Sequence, residues 1–314
     1  MPTGDNSQIL RALAKFESLP SGKTAYTIES SYQGPTDHPP VDYASNYSES
    51  LFCASSFKVF VLAAYLYYAE RGKLSNQPPK GDSPSLLDAA LAEPLTISDH
   101  TLGSTAFGDL LGKTTASAIL SAMIAYSDNT ATDIAMKRVG VENVRKFMYE
   151  TAGLHSSAVR IPDSTKKFYD YLSSPGEHHL INNEETMVCT ALAFQLFYQQ
   201  TINRNRYFEN EETRRQFMWF LSMSEAIPPG MPTDTVCYMK GGDVTYEGEH
   251  AAALAGHVTF PSNPTLFGLS MMPVNFAMLY NWTGEDNVDS VRQAFREAVK
   301  EVFAAIKGYL AQDG

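Results

Sequence analysis

The chain is short of cysteine, of positive charge and of long apolar runs, and each shortage argues against a class of protein. Three cysteines occur among 314 residues, Cys53, Cys189 and Cys237, none in a Cys-x-x-Cys spacing. An odd count without that spacing argues against a disulfide framework or a zinc site. Lysine and arginine number 24 against 35 acids, a formal charge of −11, which argues against nucleic acid as a partner. The longest apolar run, residues 59–69, is too short to cross a bilayer and ends in charge, so no membrane partner is expected. No basic start followed by an apolar block opens the sequence, and residues 6–16 carry Arg11 and Lys15 on an amphipathic pattern. The expected compartment is the cytoplasm, or an exported one if a leader was removed. His38, His100, His155, His178, His179, His250 and His257 show no metal spacing, so neither a metal nor a cofactor is expected. Internal repeats and low-complexity tracts are also lacking.

An apolar content of 44% and 17 prolines fit a globular protein of one large domain or two intertwined lobes. Apolar spacing predicts a helix over 6–16, then strands at 23–28 and within 31–50. Residues 75–92 read as a polar, breaker-rich insertion. Helices are predicted at 115–125, 130–139, 141–151, 186–199 and 213–223, with 154–183 an extended loop region apart from the periodic Phe168-Tyr169-Asp170-Tyr171-Leu172. Strand-like runs at 235–240, 252–260 and 266–272 precede a long amphipathic helix over 289–310. Strands near both ends with helices between them predict an α/β (α+β) chain. Its antiparallel sheet is built from the terminal segments (about 1–50 and 228–314), and an all-helical lobe (about 51–227) is inserted between them.

The chain is organised around Ala54-Ser55-Ser56-Phe57-Lys58 and the apolar run that follows to Tyr68. That run is apolar on every face and predicts a buried helix with Ser55 on its first turn and Lys58 one turn on. A serine hydroxyl needs a base to become a nucleophile, and a lysine with a lowered pKa can serve. The helix N-terminus adds N–H donors where an oxyanion would form. The competing reading is a helix cap at Ser55 and a snorkelling lysine. A second Ser-x-x-Lys, at Ser164-Thr165-Lys166-Lys167, opens no long apolar helix and reads as solvated loop. Two later stretches weigh toward chemistry. Tyr126-Ser127-Asp128-Asn129 interrupts two helices and by itself could be a turn with an N-cap. Tyr238-Met239-Lys240-Gly241-Gly242 closes a strand and by itself could be a hairpin or bulge.

In the order Ser-x-x-Lys, Ser-Asp-Asn, Lys-x-Gly, the three segments resemble the penicillin-recognising serine hydrolases, within them the class A β-lactamases. The resemblance covers residues 6–311, with insertions near 75–92 and 163–185. It implies a β-lactamase/transpeptidase-like fold, a five-stranded antiparallel sheet flanked by the terminal helices. Ser55 would be the acylated nucleophile and Lys58 would shuttle its proton. Ser127 would pass a proton to the leaving group, helped by Lys240. Asn129, Gly241, Gly242 and Asp243 would face the substrate, with the N–H groups of Ser55 and Asp243 as the oxyanion hole. The implied partner is a small amide, lactam or ester.

Two departures are visible. Class A enzymes carry a deacylating glutamate after the Ser-Asp-Asn turn, whereas Arg160-Ile161-Pro162-Asp163 holds none, leaving the shorter Asp163 as the candidate base. The residue after Lys240 is Gly241, where the family has a Thr or Ser that helps hold a substrate carboxylate. No Lys or Arg follows until after Asn281, while Asp243, Glu247 and Glu249 do occur. Such an edge predicts poor binding of penicillins and a preference for neutral or cationic substrates.

Overall fold

The computed structural model describes residues 6–30, 40–107, 110–176, 179–180, 186–228, 231, 234–265, 268–284 and 288–311. The segment that opens with Ser55 is a 3₁₀ turn, Ala54–Phe57, running into helix α2. In chain order it is preceded by α1 (Ser7–Glu17), β1 (Gly22–Ser30), β2 (Asp42–Ser45) and β3 (Leu51–Phe52), and α2 itself spans Lys58–Glu70. Every residue from Lys58 to Leu66 is fully buried. Burial on all sides is what a helix with no polar face requires, and each buried Leu or Phe contributes about 1.5–3 kcal/mol. At its C-terminal end the buried Glu70 carboxylate accepts the N–H groups of Glu209 (3.0 Å) and Asn210 (3.3 Å) and pairs with Arg71.

There follow α3 (Leu86–Ala92), β4 (Pro94–Ile97), β5 (Gly112–Thr115), α4 (Ala116–Ala125), α5 (Asn129–Val139), α6 (Val141–Lys146), β6 (Val159–Arg160), α7 (Thr165–Leu172), β7 (Val188–Cys189), α8 (Ala191–Tyr198) and α9 (Glu211–Ser222). The chain ends with β8 (Val236–Tyr246), β9 (Glu249–Thr265), β10 (Gly268–Thr283) and α10 (Val288–Leu310). The large sheet has the order β2-β1-β10-β9-β8, antiparallel throughout. Strand alternation divides the core in two. Ala25, Ala251, Ala253, Ala255, Ala277 and Leu279 face the helical layer around α2. Their neighbours Tyr26, Leu254, Phe276, Met278 and Tyr280 face α1 and α10. The alanine-rich face lets α8 and the 3₁₀ turn lie close to the sheet. On the other face Phe16 of α1 meets Tyr26 and Phe295, each at 5.9 Å between ring centres.

The fold is that of the mixed helix–sheet class expected, with local corrections: the inserted lobe is not all-helical, since β3, β7 and β6 form a small sheet within it and β4 pairs with β5. The insertion at 75–92 ends in α3, where the Ser85 hydroxyl caps the Asp88 N–H at 3.1 Å. The expected loop at 154–183 contains α7, and Ser164 caps it through the Lys167 N–H at 3.0 Å. The second Ser-x-x-Lys is therefore a helix start rather than loop. Its polar face hides the period that would have marked a longer helix. The last strands run further than their apolar runs, because Asn275 and Asn281 sit buried inside β10 with side-chain hydrogen bonds to satisfy them. No described helix is long and apolar enough to cross a membrane.

Candidate active site

Three segments far apart in sequence meet at the 3₁₀ turn, which is held from several sides. The buried Asn281 amide accepts the Phe52 N–H at 2.8 Å and donates to the Phe52 carbonyl at 3.0 Å. Cys53 N–H donates to Met187 O at 3.1 Å, and Ser56 Oγ donates to Lys240 O at 3.2 Å. Ala54, immediately before Ser55, has φ +44°, a strained value for a residue with a side chain. Cys53 is fully buried, in keeping with a core role.

The Ser-Asp-Asn turn joins α4 to α5. Asp128 is the N-cap of α5: Oδ1 accepts the Ala131 N–H at 2.8 Å. Its Oδ2 accepts Ser104 Oγ (2.7 Å) and the N–H groups of Thr105 and Ala106 (both 2.9 Å). The aspartate thus builds the turn and carries no spare acceptor for chemistry. Ser127 has φ +57°, which turns its hydroxyl into the cleft. Lys58 Nζ donates to Ser127 O at 2.5 Å and to Asn129 Oδ1 at 2.7 Å, and lies 3.3 Å from Ser127 Oγ. From the opposite wall Lys240 Nζ reaches Ser127 Oγ at 3.0 Å and Gly241 O at 2.7 Å. Both amines therefore converge on one hydroxyl. Ser55 shares the cleft, and among the described residues its hydroxyl makes no hydrogen bond to Lys58, whose donors go to Ser127 and Asn129. Such bonds are often long before substrate binds.

The glycines after Lys240 set how close β8 can come. A Cβ on Gly242 would lie 2.4 Å from Ser55 N and 2.7 Å from Ser55 Cβ, so only glycine allows this approach. A Cβ on Gly241 would lie 2.8 Å from Ala226 Cβ and 3.0 Å from Leu254 Cδ1. The hydroxyl that the resemblance places there is not merely missing; its space is filled.

The amines sit in an unfavourable place for charge. Burial pushes Lys58 well below the ordinary lysine value, and the neighbouring Lys240 charge pushes it further. Lys240 is lowered to about 7, chiefly by burial, with Asp243 and Glu225 pulling it back up. Two buried amines sharing one hydroxyl each disfavour the other's protonation.

The cleft has a volume of about 560 Å³ and is lined by Ser55, Ser127, Asn129, Lys240, Gly242 and Asp243, among others. Asp163 is not brought to it. Its Oδ1 accepts Arg145 at 2.8 Å and its Oδ2 accepts Lys167 at 2.6 Å. These two cations, Lys167 foremost, hold its carboxyl below the ordinary range, the wrong direction for a base. Glu247 lies at the β8–β9 turn, and Glu249 accepts Leu180 N–H at 2.6 Å away from the cleft. A side chamber of about 20 Å³, room for about one water, opens beside Ser55. Phe168, Tyr169 and Met187 wall it, and among its described lining residues Asp243 is the one carboxylate.

Four lining residues were not singled out from sequence: Tyr169, Glu225, Arg292 and Arg296. Arg292 places Nε 2.8 Å from Asp243 Oδ2. The expectation that no cation stands near the strand edge holds for the strands and fails for the cleft, because α10 supplies two. The only sequence signal would have been two arginines one turn apart on the polar side of that helix.

Comparison with known proteins follows the same lines. A sequence search of curated proteins finds no match. Among solved structures, a beta-lactamase from Chitinophaga pinensis superposes with a TM-score of 0.69 at 16% identity, covering 96% of this chain and 98% of that one. The TLA-1 extended spectrum beta-lactamase gives 0.70 at 16%, over 97% and 100%. A class A beta-lactamase representative from Bacteroides cellulosilyticus gives 0.70 at 14%, over 98% and 100%. These likenesses establish a shared fold. The model of the beta-lactamase enzyme family matches residues 25–263, most of the sequence. On that match, the chain belongs to the beta-lactamase enzyme family.

Proposed function

We propose that this hydrolase is acylated on Ser55 by a small amide, lactam or ester and releases the acyl group to water or to another acceptor. The observation that carries the reading is the convergence of Lys58 and Lys240 on Ser127 Oγ, 3.3 and 3.0 Å away, beside Ser55. A neutral Lys58 has two N–H groups, which fit Ser127 O and Asn129 Oδ1, and leaves a lone pair free for a proton. In the acylation step the Ser55 hydroxyl adds to the substrate carbonyl and its proton passes to the Lys58 amine. The oxyanion rests between the backbone N–H groups of Ser55 and Asp243. Collapse breaks the carbonyl–leaving-group bond while Ser127 gives its proton to the leaving atom. Ser127 recovers one from the amines on either side.

Slow release is the second part of the reading, favoured by the two cations that occupy Asp163. The side chamber admits a water, yet the one carboxylate among its described lining residues, Asp243, is already paired with Arg292. An acyl-enzyme that waits for an acceptor fits this better than fast hydrolysis. A true β-lactamase has the family match in its favour and would show nitrocefin turnover at ordinary enzyme rates.

The test is intact-mass analysis after exposure to nitrocefin, benzylpenicillin, p-nitrophenyl esters and amino-acid amides, with Ser55→Ala as control. A mass increase on Ser55 with at least one carbonyl class, absent in the variant, supports the reading. No adduct and no Ser55-dependent turnover with any class rejects it.

A further inference from the structure

The open end of the cleft carries opposed charges. Asp243 and Glu225 line it together with Arg292 and Arg296. The Arg292 guanidinium is engaged on three sides. Its Nε lies 2.8 Å from Asp243 Oδ2, although the N–H is not aligned on that oxygen, so the contact is a charge pair and not a directed hydrogen bond. Its Nη2 donates to Thr245 Oγ1 at 2.7 Å and its Nη1 to Asp289 Oδ1 at 3.4 Å. Arg292 is 25% exposed and Asp243 38%, so a ligand entering the cleft can reach both.

Position matters as much as charge. Asp243, whose N–H the proposed mechanism gives to the oxyanion, lines both the cleft and the side chamber together with Ser55. Of the two cleft arginines, Arg292 is thus matched by an anion from the protein itself. A substrate carboxylate seeking Arg292 must share that guanidinium with Asp243, and two carboxylates on one cation repel. Gly241 leaves no room for a hydroxyl that could hold the substrate carboxylate instead.

We propose that Asp243 is a specificity-determining residue, an internal counter-anion that occupies Arg292 and so selects against substrates bearing a carboxylate beside the scissile bond. Neutral and cationic acyl donors are the favoured class. The proposal rests on the reading of this cleft as the acylation site and refines which substrates it takes.

The experiment separates the two ideas by removing the chemistry. In a Ser55→Ala background, equilibrium binding of benzylpenicillin and of its uncharged methyl ester is measured by calorimetry. Asp243→Asn, a near-isosteric change at an accessible position, is expected to tighten penicillin binding roughly tenfold relative to the ester. Adding Arg292→Gln is expected to abolish the gain. Asp243→Gly provides a second variant, and thermal melts confirm that each is folded. Equal changes for acid and ester, a gain that survives Arg292→Gln, or no penicillin binding after Asp243 is neutralised each overturn the proposal. Failure of Ser55 to form any adduct in the wild-type protein would instead overturn the acylation reading, since the binding ratio does not depend on that bond.

Discussion

Replacing Lys240 by Met should make the protein more stable and nearly inactive, and the gain should depend on pH in a defined direction. The amine is buried at 2% exposure, and its pKa falls from 10.5 to about 7. Below pH 7 it is protonated folded and unfolded, and the full penalty of burying the charge is present. Between about 7 and 10.5 the unfolded chain holds a proton that the folded one has released, so wild-type stability rises with pH. Above 10.5 the penalty is gone. At about 1.4 kcal/mol per pH unit the penalty amounts to roughly 5 kcal/mol, an upper bound because Lys58 titrates with it. Methionine keeps the length and removes the charge, while the bonds to Ser127 Oγ and Gly241 O are lost, at about 1 kcal/mol each. A net gain of roughly 3 kcal/mol is expected at pH 6, shrinking above pH 7, vanishing near pH 9 and turning into a small loss above it, where only the missing hydrogen bonds remain. Urea unfolding followed by tryptophan fluorescence at several pH values reads it directly. A difference that is flat with pH, or that grows toward high pH, would refute the placement of a buried, destabilised amine at this position. Acylation by a p-nitrophenyl ester should fall about 10²–10⁴-fold in the same variant.

Other expectations follow from the same coordinates. Gly242→Ala should abolish Ser55 labelling or unfold the site, since its Cβ would meet Ser55 N at 2.4 Å; labelling by a fluorophosphonate, with circular dichroism for the fold, checks it. Asn281→Ala removes both partners of the buried Phe52 backbone and should lower the unfolding free energy by roughly 2–4 kcal/mol in denaturant titration. Asp163→Asn should leave the lifetime of a Ser55 acyl adduct within about threefold, because the carboxylate is engaged by Arg145 and Lys167. It should cost about 0.5–1 kcal/mol of stability at neutral pH, a loss that disappears in acid as the wild-type carboxyl is protonated through its lowered pKa. A slower decay of the adduct by more than tenfold would return Asp163 to the chemistry.

What the sequence discloses and what it hides divide along physical lines. Ser55 and Lys58 are one turn apart, Ser127 to Asn129 are adjacent, and Lys240 abuts its glycines, so each cluster is written in a local pattern. The helix from Lys58 to Glu70 announces its burial by having no polar side. Arg292 is different. Its arrival at Asp243 depends on how α10 packs across the sheet, and no spacing in the chain encodes a contact between residues brought together only by tertiary structure. The crowding at Gly241 is hidden for the same reason, since Ala226 and Leu254 come from other segments. Asp163 misleads because its distance from Asn129 is right while its partner Arg145, lying between them in sequence, turns it away. The helix at Thr165–Leu172 shows in the sequence only as the short periodic stretch Phe168–Leu172, because eight residues give barely two turns of periodicity.

The link from Ser56 Oγ to the carbonyl of Lys240 spans 184 positions. A growing polypeptide therefore carries Ser55, the proposed nucleophile next to Ser56, for more than half of its synthesis with neither Lys240 nor the strand that bears it. Chains that stop short of β8 lack Lys240 and the Asp243 N–H that the proposed site needs. The proposed acylation site is therefore complete only once the sheet is, in the last part of the chain to be made.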